Sequence, residues 1–128
     1  MSKALVVDDS RTIRTIIKRI LIDLGFQVLE AGNGLEGLKV METEKNAVEL
    51  VLADWNMPEM NGLELLKQLR ANTDLASLKI IMVTTETEMS QMASALEAGA
   101  NEYVMKPFTK EILKEKLALV GIDSLARV

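Results

Sequence analysis

The chain contains neither cysteine nor histidine among its 128 residues. Without cysteine it can form no disulfide framework, no thiolate nucleophile and no cysteine-based metal site. Without histidine it lacks the commonest acid–base catalyst and metal ligand of proteins. Any chemistry must therefore depend on carboxylates, hydroxyls, lysines and a bound ion.

An excess of basic charge and long apolar runs are also lacking. The net charge is -4, which argues against a dedicated nucleic-acid binder. The apolar run that follows Lys3 ends at Asp8 and is too short for a signal peptide. No apolar run approaches the roughly 20 residues that are needed to cross a bilayer. These absences predict a cytoplasmic protein that binds neither nucleic acid nor membrane.

Short apolar runs alternate with stretches of helical periodicity along the whole chain. We predict one domain over residues 1–128, with a core over about 3–120, a short tail over 121–128 and no effector domain following. The predicted strands are Ala4–Val7, Phe26–Ala31, Glu49–Ala53, Lys79–Val83 and Asn101–Met105. The predicted helices run from Ser10 to Leu24, from about Asn33 to Glu44, from Leu63 to Arg70, from about Glu88 to Ala98, and onward from about Thr109. The side chains predicted to face the core are Ile13, Ile16, Ile17, Ile20, Leu21 and Leu24 in the first helix and Ile112, Leu113, Leu117 and Val120 in the last.

Five strands that alternate with five helices favour an α/β fold. Strands that consist of continuous apolar runs are typical of parallel sheets with helices on both faces. We therefore predict a flavodoxin-like, doubly wound five-stranded parallel sheet in the order 2-1-3-4-5, with the more polar second strand at an edge. In this order the first and third strands flank the switch point, and ligands bind beyond the carboxyl ends of the strands there.

Acidic residues follow or end the two strands that flank the switch point. Asp8 and Asp9 come directly after the first strand, and Asp54 comes after the third. Three carboxylates at one sheet edge repel one another, and a divalent cation relieves that repulsion. Oxygen ligands without histidine or cysteine favour Mg²⁺, with Mn²⁺ or Ca²⁺ as substitutes.

The ends of the fourth and fifth strands carry a hydroxyl and a positive charge, Thr84 and Lys106. Both groups suit the binding of phosphoryl oxygens. The nucleophile candidate is a carboxylate that forms an acyl phosphate, and the central position of Asp54 makes it the predicted acceptor. Each residue taken singly has a structural alternative, since Asp9 or Ser10 is also expected as the N-cap of the first helix. The joint pattern predicts phosphoryl chemistry.

At these residues the chain resembles the receiver domain of two-component response regulators, most closely the single-domain chemotaxis type. The matching segments are Val7–Ser10, Asp54–Pro58 with Gly62, Met82–Thr84 and Lys106–Phe108. The resemblance implies that Asp54 accepts a phosphoryl group from a histidine kinase and that Lys106 pairs with that group. It also implies a magnesium site formed by Asp8, Asp9, Asp54 and the backbone carbonyl of Asn56.

The resemblance assigns further positions to switching and to the rate of hydrolysis. Thr84 is expected to move and to hydrogen-bond the phosphoryl group, and Tyr103 aligns with an aromatic residue that turns inward on activation. Asn56 and Glu86 occupy positions that modulate hydrolysis. Thr85 is bulkier than the residue common at its position and could hinder the inward movement of Tyr103. The Lys106–Pro107 peptide bond is expected to be cis.

The resemblance implies a signalling switch that catalyses only its own phosphoryl uptake and autodephosphorylation, and not an ordinary enzyme. The expected partners are the kinase, a flagellar motor switch protein bound by the face of helix 4, strand 5 and helix 5, and a phosphatase. A phosphate sink or phosphorelay intermediate is the alternative within the same class. An aspartate-nucleophile phosphohydrolase is the alternative from another class, although such enzymes usually have an acid where this chain has Asn56.

One motif points to a different ligand. Residues Gly32 to Gly37 match the dinucleotide fingerprint G-x-G-x-x-G, which follows a strand and opens a helix. The motif follows the second strand, away from the switch point, and the switch point itself is lined with carboxylates that would repel a pyrophosphate. We interpret these glycines as turn and helix-packing residues.

Overall fold

The computed structural model describes residues 2–44 and 46–122. The strands are β1 Lys3–Val7, β2 Gln27–Ala31, β3 Val48–Asp54, β4 Lys79–Thr84 and β5 Glu102–Met105. They form one parallel sheet in the order β2-β1-β3-β4-β5, which confirms the predicted topology and the edge position of β2. Residues 123–128 of the predicted tail lie outside the described residues.

The helices connect these strands in the predicted alternation. They are α1 Arg11–Asp23, α2 Gly34–Glu44, α3 Gly62–Ala71, α4 Met92–Glu97 and α5 Lys110–Leu119, with short 3-10 helices at Thr73–Leu75 and Glu86–Gln91. Ser10 is the N-cap of α1, because its side chain accepts a hydrogen bond from the backbone N–H of Ile13 at 3.2 Å. Thr109 caps α5 in the same way. None of the described helices is long and apolar enough to cross a bilayer.

The predicted fourth helix differs most from the structure. Residues Glu86–Gln91 form a 3-10 helix, and the α-helical part is limited to Met92–Glu97. The first segment begins early because Thr85 and Glu88 form a capping box. It buries no side chain, whereas α4 buries Met92 and Ala95. Met89 of the first segment is only partly buried against the core, and fully buried packing begins at Met92, where the α-helix starts.

The sheet separates two apolar clusters. On one face the strands pack against Ile17 and Leu21 of α1 and against α5; on the other face they pack against α2, α3 and α4. Two residues that we predicted to face the core do not, since Ile16 is 52% exposed and Ile112 is 41% exposed. The apolar stripe of α1 is wider than the part of the helix surface that meets the sheet.

The glycines of the dinucleotide-like motif have packing roles. A Cβ atom on Gly34 would lie 2.8 Å from Met60, and one on Gly37 would lie 3.2 Å from Val7. The helix can therefore approach its neighbours closely at both positions only without a side chain. The motif also follows β2, which is at the sheet edge and away from the switch point between β1 and β3.

Candidate functional site

Three carboxylates meet where β1 and β3 end side by side. Val7 pairs with Ala53 in the parallel register, so the residues that follow, Asp8 and Asp54, reach the same edge of the sheet. One carboxylate oxygen from each of Asp8, Asp9 and Asp54 lies within 4.8 Å of the others. Asp8 and Asp54 are buried, whereas Asp9 is exposed. The sequence prediction that these acids lie together is confirmed.

Lys106 places its ammonium group between two of these acids. Its Nζ atom lies 3.1 Å from Oδ2 of Asp8 and 3.1 Å from Oδ1 of Asp54. The backbone N–H of Lys106 donates to the carbonyl of Thr84 at 2.7 Å, which ties the end of β5 to the end of β4. The Lys106–Pro107 bond is cis, as the resemblance implied.

The electrostatics of the site centre on Asp54. The pKa of Asp54 is raised from 3.8 to about 6, chiefly because the carboxyl group is buried and also because of the charge of Asp8, against the lowering effect of Lys106. Burial alone would lower the pKa of Lys106, but its contacts with Asp54 and Asp8 outweigh this effect and leave that pKa raised. Ionising Asp54 in the folded protein is therefore costly unless more positive charge is supplied.

A divalent cation fits this charge distribution. Three carboxylates converge on one edge. Among the described residues a single lysine ammonium group pairs with two of them, so an excess of negative charge remains. Magnesium prefers such oxygen ligands and keeps several of its own waters. Asp8, Asp9 and Asp54 are the residues that would hold it. Asn56 lies two residues after Asp54, and the role of its carbonyl as a further ligand stays a prediction.

Thr84 ends β4 and is fully buried. Its hydroxyl donates to the carbonyl of Thr85 at 3.2 Å, within its own strand end. The structure thus places Thr84 at the correct edge, with its hydroxyl engaged in a local bond and not with a carboxylate of the cluster. Glu86 follows in the 3-10 helix and is exposed.

Tyr103 lies in the middle of β5, opposite Met82 of β4. Its ring is partly buried against the core, and Nζ of Lys116 lies 4.6 Å from the ring centroid. Thr85 is partly buried, and its hydroxyl lies 3.0 Å from the hydroxyl of Thr87. The switching role of Tyr103 and the hindrance expected from Thr85 stay predictions.

Two contacts of the site were not predicted from the sequence. The indole N–H of Trp55 donates to Oε1 of Gln91 at 2.5 Å, which connects the residue after Asp54 to the start of α4. The guanidinium of Arg14 donates to the backbone carbonyl of Asp8 at 2.6 Å. The Trp55–Gln91 contact has no signal in local sequence, because it joins residues that are 36 positions apart. Arg14 and Asp8 are only six positions apart, but the direction of the Arg14 side chain depends on how α1 packs beside the end of β1.

A known family and several known proteins are similar to this chain in sequence. The family model described as response regulator receiver domain matches residues 4–118. The chain is 48% identical to the chemotaxis protein CheY1 of Helicobacter pylori, over 92% of this chain and 95% of that protein. It is 52% identical to a chemotaxis protein CheY homolog of Campylobacter jejuni, over 90% of this chain and 88% of that protein.

Solved structures agree with the sequence comparison. A response regulator receiver domain protein from Clostridium thermocellum superposes with a TM-score of 0.86 at 30% identity, covering 94% of both chains. The chemotaxis protein CheY4 of Vibrio cholerae superposes with a TM-score of 0.84 at 35% identity, covering 94% of this chain and 98% of that one. These matches support a signalling domain and not an ordinary enzyme. The chain belongs to the response regulator receiver domain family.

Proposed function

We propose that the chain is a phosphorylation-switched signalling module in which Asp54 accepts a phosphoryl group from a histidine kinase. The observation that carries the proposal is the position of the Asp54 carboxylate. It is buried at the end of β3, bonded to Lys106 at 3.1 Å, and part of a carboxylate cluster that fits a divalent cation. A structural aspartate at the end of a strand needs neither the lysine nor the two further acids.

The proposed transfer is a single displacement at phosphorus. A carboxylate oxygen of Asp54 forms a bond to phosphorus, while the phosphorus–nitrogen bond of a phosphohistidine breaks and the imidazole leaves. Because the pKa of Asp54 is about 6, most of its carboxylate is ionised at neutral pH and can act as the nucleophile. The ammonium group of Lys106 lies 3.1 Å from the same carboxylate, where it would stabilise negative charge on the phosphoryl oxygens.

Magnesium, with manganese as a substitute, supplies positive charge that neutralises the carboxylates and binds phosphoryl oxygens. Asp8, Asp9 and Asp54 would hold it, together with the carbonyl of Asn56. The burial of Asp8 and Asp54 keeps two of these oxygens in fixed positions before the ion arrives. Asp9 is exposed and faces the side from which an ion and a donor can enter.

Phosphorylation would change the hydrogen bonding of the strand ends. A phosphoryl group adds close to two negative charges and three strong acceptors beside Lys106. Thr84 would have to exchange its bond to the Thr85 carbonyl for one to a phosphoryl oxygen. That exchange would move the peptide that leads into the 3-10 helix Glu86–Gln91. Tyr103 would then turn inward, and the two states would differ at α4, β5 and α5.

The output surface in this proposal is the face formed by α4, β5 and α5. Leu96 of α4, Met105 of β5 and Ile112 of α5 are exposed apolar side chains on these three elements. A protein partner can bury such side chains, and a partner that binds one state more tightly reads the phosphorylation. By analogy with the chemotaxis relatives, we propose a flagellar motor switch protein as this partner and a phosphatase as the agent that resets it.

Two alternatives predict different behaviour. A phosphate sink would take phosphoryl groups from the kinase, and a relay intermediate would pass them to a further acceptor. Neither role needs a motor partner. A phosphohydrolase would turn over small phosphomonoesters, but Asn56 replaces the second acid that such enzymes place two residues after the nucleophile. Asn56 cannot transfer a proton to a leaving group. We therefore favour a long-lived phosphorylated state, and not rapid turnover of phosphomonoesters.

The test is phosphorylation by a small phosphodonor in the presence of magnesium. We expect mass spectrometry to show one added phosphoryl group, and we expect the fluorescence of Trp55, the only tryptophan, to change with it. Asp54→Asn should abolish the labelling, whereas Asp23→Asn, which removes the same charge from an exposed site on α1, should not. Equal labelling of Asp54→Asn would show that the acceptor is another residue. Steady release of phosphate from many phosphomonoesters would instead support the hydrolase.

A further inference from the structure

Arg14 is a basic residue of α1 whose guanidinium bonds to the backbone beside the acidic cluster. Its Nη1 donates to the carbonyl oxygen of Asp8 at 2.6 Å, and its Nε lies 3.3 Å from Oε1 of Glu30 on β2. The side chain of Arg14 is 17% exposed. Arg11 and Arg19 of the same helix are exposed, and the side chain of neither makes a hydrogen bond or ion pair within residues 2–44 and 46–122.

Arg14 bonds to the carbonyl oxygen of Asp8, which lies beyond the last residue of the β1 ladder. The β1 ladder ends at Val7, and Asp8 keeps one backbone bond to the sheet, from its N–H to the carbonyl of Ala31 at 3.1 Å. The Asp8 carboxylate accepts a bond from the N–H of Ser10 at 2.8 Å. With the Arg14 bond, Asp8 is thus held at its amide, its side chain and its carbonyl.

The carbonyl of Asp8 and the amide of Asp9 belong to one planar peptide group. A donor that holds the carbonyl therefore also sets the direction in which the Asp9 side chain leaves the backbone. This matters because Asp9 is the exposed member of the acidic cluster. Its carboxylate makes no hydrogen bond or ion pair to any described residue, so its position depends on the backbone.

Glu30 prevents Arg14 from acting simply as a positive charge near the cluster. The Glu30 carboxylate accepts from Arg14 and from Lys18, at 3.3 and 3.2 Å. It holds the guanidinium in place from the side of β2 and offsets much of its charge. Arg14 therefore acts on the site mainly through its hydrogen bond to the Asp8 carbonyl, and less through the Coulomb effect of its charge on a bound cation.

We propose that Arg14 is a positioning residue for the metal site, which holds the Asp8–Asp9 peptide in the orientation that lets Asp9 join Asp8 and Asp54 around a divalent cation. This inference rests on the proposed function, because it assigns Arg14 to the magnesium site of that proposal. Partners that orient metal ligands through hydrogen bonds typically contribute 10- to 100-fold to metal affinity, and this is the scale we expect here.

The test compares three variants by magnesium titration of Trp55 fluorescence, without any phosphodonor. Arg14→Met keeps an unbranched side chain and removes the donors. Arg14→Lys keeps a charge and one donor group but not the planar fork that can bridge Asp8 and Glu30. Arg11→Met is the matched control, since it removes the same charge from the same helix with no contact to Asp8.

The sign of the effect separates positioning from simple charge. Removing a positive charge near a cation site should strengthen magnesium binding if Coulomb repulsion alone acts. We expect instead that Arg14→Met weakens binding about tenfold, that Arg14→Lys lies between it and the wild type, and that Arg11→Met leaves binding unchanged or slightly tighter. In the magnesium-free protein, the backbone amide signal of Asp9 in NMR spectra should shift in Arg14→Met and not in Arg11→Met.

Folded Arg14→Met with wild-type or tighter magnesium binding would overturn the inference. So would equal weakening in Arg14→Met and Arg11→Met. If Arg14→Met does not fold, Arg14→Lys decides the matter, and wild-type affinity in that variant overturns the positioning role. The proposed function fails separately: in that case the wild type itself would show no magnesium response that Asp9→Asn removes.

Discussion

Replacing Asp54 by asparagine should stabilise the metal-free protein at neutral pH, although the change removes the proposed acceptor. Asp54 has a pKa of about 6 in the folded state against 3.8 for an unperturbed group, chiefly because it is buried. The folded protein therefore binds this proton more tightly than the unfolded chain. As pH rises through the window from about 4 to about 6, the wild type loses stability, because ionisation is less favourable in the folded state.

The magnitude follows from the same two pKa values. Each unit of difference corresponds to about 1.4 kcal/mol, so the full cost at neutral pH is about 3 kcal/mol. Asparagine has nearly the same shape and no charge to ionise. Lys106 loses one of its two carboxylate partners and keeps Asp8 at 3.1 Å, which offsets part of the gain. We expect Asp54→Asn to be more stable than the wild type by between about 1 and 3 kcal/mol.

The assay is urea unfolding followed by far-UV circular dichroism, with a chelator present, near neutral pH and near pH 4. The gap between Asp54→Asn and the wild type should almost vanish near pH 4, because Asp54 is then protonated in the folded wild type. The carboxylates that are remote from Asp54 contribute equally in both proteins and cancel in the difference. A gap of the same size at both pH values, or a less stable Asp54→Asn near neutral pH, would refute the reasoning. Saturating magnesium should raise the stability of the wild type more than that of the variant.

Three further changes test the segment that connects β3 to α3 and its contact with Gln91, the residue before α4. Glu59 has a φ of 68°, a left-handed conformation that asparagine tolerates better, so Glu59→Asn should raise the free energy of unfolding by about 0.5–1 kcal/mol in the same urea assay, and a loss of stability would contradict this. In Gly62→Ala the new Cβ would clash with the backbone carbonyl oxygen of Asp54 and would lie 2.8 Å from Met82, so we expect the free energy of unfolding to fall by about 2 kcal/mol or more and labelling by the phosphodonor to slow. Unchanged stability and labelling would show that the backbone around Gly62 adjusts without cost. In Gln91→Leu the indole N–H of Trp55 loses its acceptor, so its emission maximum should shift, and an identical spectrum would mean that the bond is not populated in solution.

Most of the fold could be predicted from periodicity, because most elements of this chain carry a strong local signal. Apolar runs such as the one before Asp54 are typical of strands covered on both faces, and Gly25, which has a φ of 98°, ends α1 where the apolar stripe ends. The helix at residues 86–97 was predicted less well. No side chain of its first half is fully buried, so whether that half forms a 3-10 helix or an α-helix depends on its capping box and on the fully buried packing that begins at Met92.

Two surface positions show where periodicity alone misleads. Ile16 and Ile112 fit the apolar stripes of α1 and α5, yet both are largely exposed. A stripe reports which residues could face the sheet, but the orientation of the helix on the sheet decides which of them do. Such exposed apolar residues are visible only once the helix is placed.

The sequence by itself determined the place of the site and the kinds of groups in it. In a parallel sheet the carboxyl ends of all strands meet at one edge, so residues that end or follow separate strands, such as Asp8, Asp54, Thr84 and Lys106, must come together. Tertiary structure alone decided how these groups are held: the two 3.1 Å contacts of Lys106 and the burial that raises the pKa of Asp54. Distances, burial and side-chain direction arise from packing between elements that are remote in sequence, and local patterns carry no information about them.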